Sequence, residues 1–151
     1  MESTAAKVIK IHMRLIMLFE SHLEGKKCQA YSDYLLHLNP ADDEEGFEPD
    51  LLVICDPSKN KGTYCEGAPD LIIEILSPST SKRDRFYKRN RYFAAGVREY
   101  WIIDPVRETV VVYDWREGDC VPIAYTWRST IKVSILDDFS IDFNRVFPTL
   151  P

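Results

Sequence analysis

Three side chains in this sequence stand out for the chemistry their types and spacing could do: Asp50, Glu74 and Lys88. Asp50 opens the apolar run DLLVIC directly after Pro49. Glu74 interrupts DLIIEIL, which follows a second Pro-Asp pair, Pro69-Asp70. A lone ionised carboxylate inside a dry run of Ile and Leu is costly, so Glu74 needs a cation, a hydrogen-bond partner or a wet cleft. Two acids on adjoining strands can share a divalent ion. Mg²⁺, or Mn²⁺ in its place, suits them, because Mg²⁺ prefers octahedral oxygen coordination from one or two carboxylates completed by water and phosphate. The carbonyl of Ile75 is a candidate third ligand. An ion held this way supplies much of what phosphodiester hydrolysis requires. A neighbouring amine can orient the attacking water or stabilise developing charge, and Lys88 is the candidate.

The elements that must position these groups are legible around them. DLLVIC is short, continuous and β-branched enough for a central buried strand, and a proline at its start costs no ladder bond. Alternation puts Asp50, Leu52 and Ile54 on one face and Leu51, Val53 and Cys55 on the other. The turn-rich connection DPSKNKGTYCEGA makes the next strand, Asp70–Leu76, an antiparallel neighbour. There Asp70, Ile72, Glu74 and Leu76 share a face. Ser81, with Asp84 three residues on, signals a helix start, and Gly96 ends the helix after about Ala95. Phe86 and Phe93 are expected to form its packing stripe, and Asp84, Lys88 and Tyr92 a polar row at four-residue steps. REYWIIDP is a strand ending at Asp104-Pro105, so strand, helix and strand make a parallel crossover unit. A helix returning over the sheet brings Lys88 within reach of the acids.

Upstream, residues 7–24 place Val8, Ile11, Leu15, Leu18 and Phe19 at helical spacing, with Gly25 as a stop. Glu20 on this helix is an additional candidate for the site, whereas His12 and His22 form no ligand pair such as HExxH. Cys28–Leu38 suits a strand, and NPADDEEGFE an exposed acidic loop. Downstream, ETVVVYDW, CVPIAYTW and STIKVSIL read as antiparallel strands, closed by a short segment over Phe139–Phe147. The fold class is α/β (α+β), a mixed β-sheet flanked by helices with C-terminal antiparallel strands, in a single domain over 1–151.

Bulk properties narrow the function classes. Hydrophobic residues at 45% and charged ones at 28% exclude disorder, and no apolar run approaches a membrane span. With no secretory signal either, the cytoplasm is the default location. The four cysteines have no CxxC pair and read as buried thiols. The formal charge is −5, yet Ser81–Arg91 carries six basic residues against Asp84 alone. That local excess on an acidic protein can focus a positive field, and Lys82, Arg83, Arg85 and Arg89 are the candidate nucleic-acid contacts.

The wording PDLLVICD, GAPDLIIEILSPST and DRFYKRNRYFAAGVREYWIIDP resembles the Uma-two family of restriction endonucleases within the PD-(D/E)XK nuclease superfamily, over roughly Ile11–Phe147. The resemblance implies a restriction-endonuclease-like core with Asp50 as the Pro-Asp acid and Glu74 as the second acid. The superfamily's lysine two residues further on is Leu76 here. The family pattern implies Lys88 in its place, with Tyr92 one turn beyond, while Asp70 fits the motif as either a functional or a structural acid. Family members usually carry a longer N-terminal region with a Glu-containing strand, which this chain lacks. The expectation is a Mg²⁺-dependent endonuclease on DNA, without small-molecule cofactor or membrane association, working as a homodimer in which Trp101, Trp115 and Trp127 serve an interface or the core. The alternative is a nuclease-fold module that has lost catalysis and binds nucleic acid or a protein partner.

Overall fold

The computed structural model describes residues 4–39, 41 and 46–148, which include helices α1 (Thr4–Leu23) and α2 (Lys82–Ala95). The strands among them are β1 (Gln29–Ser32), β2 (Leu35–His37), β3 (Leu51–Ile54), β4 (Tyr64–Glu66), β5 (Leu71–Ile75), β6 (Glu99–Asp104), β7 (Thr109–Asp114), β8 (Ile123–Thr126), β9 (Thr130–Lys132) and β10 (Ser140–Asp142). Six of them form one mixed sheet in the order β1-β3-β5-β6-β7-β8. Within it β3 and β5 are antiparallel, and β5 and β6, joined by α2, are parallel. Pro40 and the acids Asp42–Glu45 of the expected acidic loop lie outside the described residues.

Alternation along the central strands divides the core in two. Leu51, Val53, Leu71, Ile73, Ile75, Trp101 and Ile103 point to one face, where the α1 stripe Ile11, Leu15, Phe19 and Leu23 covers them together with Phe139, Phe143 and Phe147. Leu52, Ile54, Ile72 and Tyr100 point to the other, against Tyr92 of α2 and the β2–β4 pair. This is the period-2 pattern of strands buried on both sides. The helix ends follow their chemistry. Ser81 accepts the Asp84 amide at the head of α2, and Gly96, at φ 101°, closes its other end in the left-handed region that a Cβ disfavours.

Three expectations are corrected and one open choice, that of the tryptophans, is decided. Phe86 does not pack: it is 68% exposed, and α2 docks instead through Tyr92, fully buried, and Phe93. The helix phase is set by the polar anchor at Tyr92 rather than by the two phenylalanines. Trp101 and Trp115 are core residues, and Trp127 lies half-buried against the same core, so none offers an exposed interface. Cys28–Leu38 is two strands, broken at Asp33 with φ 49°. The second of them pairs in parallel with β4, which forms inside the connection expected to be only a loop. The cysteines differ too. Cys28 and Cys55 are disulfide-bonded, because extending the β1–β3 register by one pair sets them opposite each other, whereas Cys120 is exposed. Cys65 is the buried thiol expected, and burial pushes its pKa up to about 11.

Asp70 is a tie in this framework. Its carboxylate accepts the Cys55 amide at 2.7 Å and the Arg98 guanidinium at 2.9 Å, clamping the head of β5 to the tail of β3. Asp70→Ala is expected to cost about 1–3 kcal/mol, the penalty for orphaning such a donor. Urea unfolding measures it, and an unchanged midpoint would remove the structural role.

Candidate active site

The register of β3 and β5 brings the acids together. Leu51 faces Ile73, and one more pair along the same ladder sets Asp50 opposite Glu74 on the α2 side. Side chains directly opposite in an antiparallel ladder start about 4.5–5.5 Å apart at Cβ, close enough for like charges to oppose each other. Both acids line one cavity of about 200 Å³ with Ile75, Arg85, Lys88 and Tyr100.

Each carboxylate is anchored through one oxygen. Asp50 Oδ2 accepts the Ile75 amide at 2.7 Å. Glu74 Oε2 accepts the Tyr92 hydroxyl at 3.2 Å and pairs with Lys88 Nζ at 3.2 Å. Lys88 thus bridges to Glu74 across the cavity instead of pairing with Asp84 along its own helix. Arg85, Lys88 and Tyr92 follow at three- and four-residue steps on α2, so one helix face delivers all three to this cavity or its wall. Among the described residues, neither Asp50 Oδ1 nor Glu74 Oε1 has a hydrogen-bond partner.

The electrostatics follow from burial. Desolvation raises the Glu74 carboxyl above its usual range and Asp50 adds to this, while Lys88 and Tyr92 pull it back down. Asp50 is raised by the same cause, opposed by the Ile75 amide and His12. Tyr92, buried beside an acid, is pushed far up and stays a hydrogen-bond donor.

The other candidates separate. Tyr92 joins the site as the group that fixes Glu74, whereas Asp70 does not, being bound at the opposite end of β5 by Cys55 and Arg98. Glu20 stays exposed on α1, outside the cavity. Ile75 lines the cavity and holds Asp50 through its amide. Lys82 and Arg83 are exposed at the start of α2. Arg89 is held over the rings of Phe93, Tyr113 and Trp115 and ion-paired with Asp119. His12, which forms no ligand pair in the sequence, lies beside the site. Its Nε2 lies 2.7 Å from the Asp50 carbonyl, which also accepts the Asp33 amide. A carbonyl can only accept, so this contact makes Nε2 the protonated nitrogen. Nitrogen or oxygen ligand atoms of His12, Asp33 and Asp50 all lie within 4.8 Å of one another, a set that shares Asp50 with the acid pair and that a cation could use once His12 gives up the Nε2 proton. The only signal in the sequence was its place beside the buried Ile11, on the shoulder of the α1 stripe.

A mixed sheet with a β5-α2-β6 crossover, two opposed acids and a lysine from the crossover helix is the core of a restriction-endonuclease-like protein. The chain belongs to the Uma2 family, described as "putative restriction endonuclease", whose model matches residues 1–144. It is 30% identical over 136 residues to the uncharacterized protein slr1290 of Synechocystis sp., covering 87% of this chain and 70% of that one. Its fold is similar to that of a crystal structure from Anabaena variabilis, titled a putative nuclease belonging to DUF820. The TM-score is 0.75 at 19% identity, covering 93% of this chain and 80% of the other. Among the described residues no helix is long and apolar enough to cross a membrane.

The raised acids have a consequence for stability. The folded chain binds their protons more tightly than the unfolded chain does. Stability therefore falls as pH rises from the ordinary carboxylate range near about 4 through the raised folded values. Glu74→Gln removes the more buried of the two titrations, and a shallower decline of unfolding free energy with rising pH is expected in urea titrations. A decline identical to wild type would contradict the assignment.

Proposed function

We propose that this chain is a Mg²⁺-dependent endonuclease that hydrolyses phosphodiester bonds in DNA, its residues 1–151 acting as one nuclease-like domain. The observation that carries this is the pair Asp50 and Glu74. Two acids oppose each other across a ladder, each is fixed through one oxygen, and the second oxygen of each has no partner among the described residues. A hard-oxygen donor set, with the Ile75 carbonyl as the candidate third ligand, fits Mg²⁺, and Mn²⁺ equally. When bound, such an ion supplies Lewis-acid charge to the phosphoryl oxygen and acidifies water.

The chain's own residues do the rest. Asp50 and Glu74 would hold the ion, and the Ile75 amide and Tyr92 hydroxyl keep the two carboxylates from swinging. Lys88, whose amine pairs with Glu74 at the edge of the cavity, would orient the attacking water and balance charge on the phosphate. Lys82, Arg83 and Arg85 supply positive charge for the flanking backbone, with Arg89 stiffening that helix face. Two copies related by a two-fold axis would cut both strands.

A second reading, a module that binds nucleic acid without cutting it, draws on one observation: Lys88 and Tyr92 both engage Glu74 Oε2. In that reading the polar cluster only ties α2 to the sheet. The readings part on cleavage of plasmid DNA in Mg²⁺ or Mn²⁺. Asp50→Asn and Glu74→Gln should abolish it, and Lys88→Ala should slow it by about 10²-fold or more. Equal background activity in all four proteins removes the enzyme. Independently, Mg²⁺ at 100 times its Kd should stabilise wild type by about 2.7 kcal/mol and leave Glu74→Gln unmoved.

A further inference from the structure

A second cavity, of about 330 Å³, adjoins the acid-lined one and shares Leu76, Ser77, Thr80 and Arg85 with it. It lies between the head of α2 and the turn after β6, and Lys82 and Arg107 also line it. Its charge is opposite to that of the acid pocket. Arg89, Arg98 and Arg116 are ion-paired elsewhere, whereas Lys82, Arg85 and Arg107 form no ion pair among the described residues. The one acid in the lining, Asp104, turns Oδ1 to the amides of Val106 and Arg107. The Ser77 and Thr80 hydroxyls, 3.1 Å apart, face the same space.

Arg85 joins the two cavities, and its Nε is buried with no hydrogen-bond partner among the described residues. A buried N–H donor without an acceptor carries a desolvation cost that native proteins seldom leave uncompensated. A small turn of the Arg85 side chain toward Arg107 would bring this N–H to an anion held between the two guanidinium groups, which would supply the acceptor. Arginine recognises phosphate through paired N–H donors, and hydroxyls complete such contacts.

We propose that this basic cavity holds a second phosphate of the same DNA strand, adjoining the one at Asp50 and Glu74 and gripped by Arg85, Lys82 and Arg107. The inference rests on the phosphodiester reading of the acid cavity and adds the path by which the strand leaves it. Arg107, from a turn remote in sequence from the basic helix, becomes a backbone contact. Ser77 and Thr80 line the step between the two phosphates.

The test is fluorescence anisotropy with a labelled single-stranded DNA oligonucleotide, in chelator so that nothing is cleaved, across a salt series. Each lost phosphate contact on a single strand lowers the slope of log K against log salt by about 0.7. The Lys82→Ala/Arg107→Ala double variant, which gives up the one phosphate of this cavity, should therefore lose about 0.7 of slope, and Arg107→Lys should retain it. Lys10→Ala, on the outer side of α1, should match wild type. Wild-type slope in the double variant, the same loss in Lys10→Ala, or no DNA binding by wild type would each overturn the groove. Mn²⁺ binding, titrated separately by calorimetry, keeps the two readings apart. If the double variant loses slope while wild type binds no Mn²⁺, the groove stands and the metal-dependent enzyme falls.

Discussion

Two antiparallel strands in one particular register impose the constraint from which the site follows. With Leu51 opposite Ile73, Asp50 has nowhere to be but across from Glu74, on a face that α2 then roofs. Like charges opposed at that spacing destabilise a sheet, and removal from water raises the cost further. The surrounding chain answers with the Ile75 amide on one acid and Tyr92 and Lys88 on the other. A slip of one residue between the two strands would turn one of the acids into the α1 core, where no such partners exist, and separate it from the other.

The same ladder is tied at both ends by a repeated device. Each strand opens with Pro-Asp, and each aspartate accepts an amide near the far end of its partner: Asp50 that of Ile75, Asp70 that of Cys55. Proline suits the opening position because it has no ladder bond to lose. Yet the two aspartates have different surroundings. Asp70 meets Arg98 and is spent on structure, while Asp50 faces Glu74, the Asp50 carbonyl is held by His12, and its second oxygen is left without a partner among the described residues. Identical local wording therefore yields a clamp at one end and a candidate ligand at the other.

The layers divide the labour. On the α1 face the strands bury Leu, Ile and Trp against Phe19, Phe143 and Phe147, a dry body that holds the sheet rigid. On the α2 face the apolar cover is interrupted where Glu74, Lys88 and Arg85 meet, and cavities open there. A polar cluster at the edge of a packed layer keeps contact with water, and this lets buried acids remain chargeable.

Much of this was written in the chain. The strands around Asp50 and Glu74, the caps of α2 at Ser81 and Gly96, and the reach of Lys88 to the acids all followed from alternation, capping chemistry and the geometry of a crossover, since each depends on residues near in sequence. The docking of α2 through Tyr92 instead of Phe86, the burial of Trp101 and Trp115, the β2–β4 pair, the Cys28–Cys55 bond and the approach of His12 to Asp50 did not. Local patterns specify which face of an element is apolar and where it starts and stops. Which distant side chain arrives opposite a given atom depends on how whole elements pack, and only the assembled tertiary structure determined that.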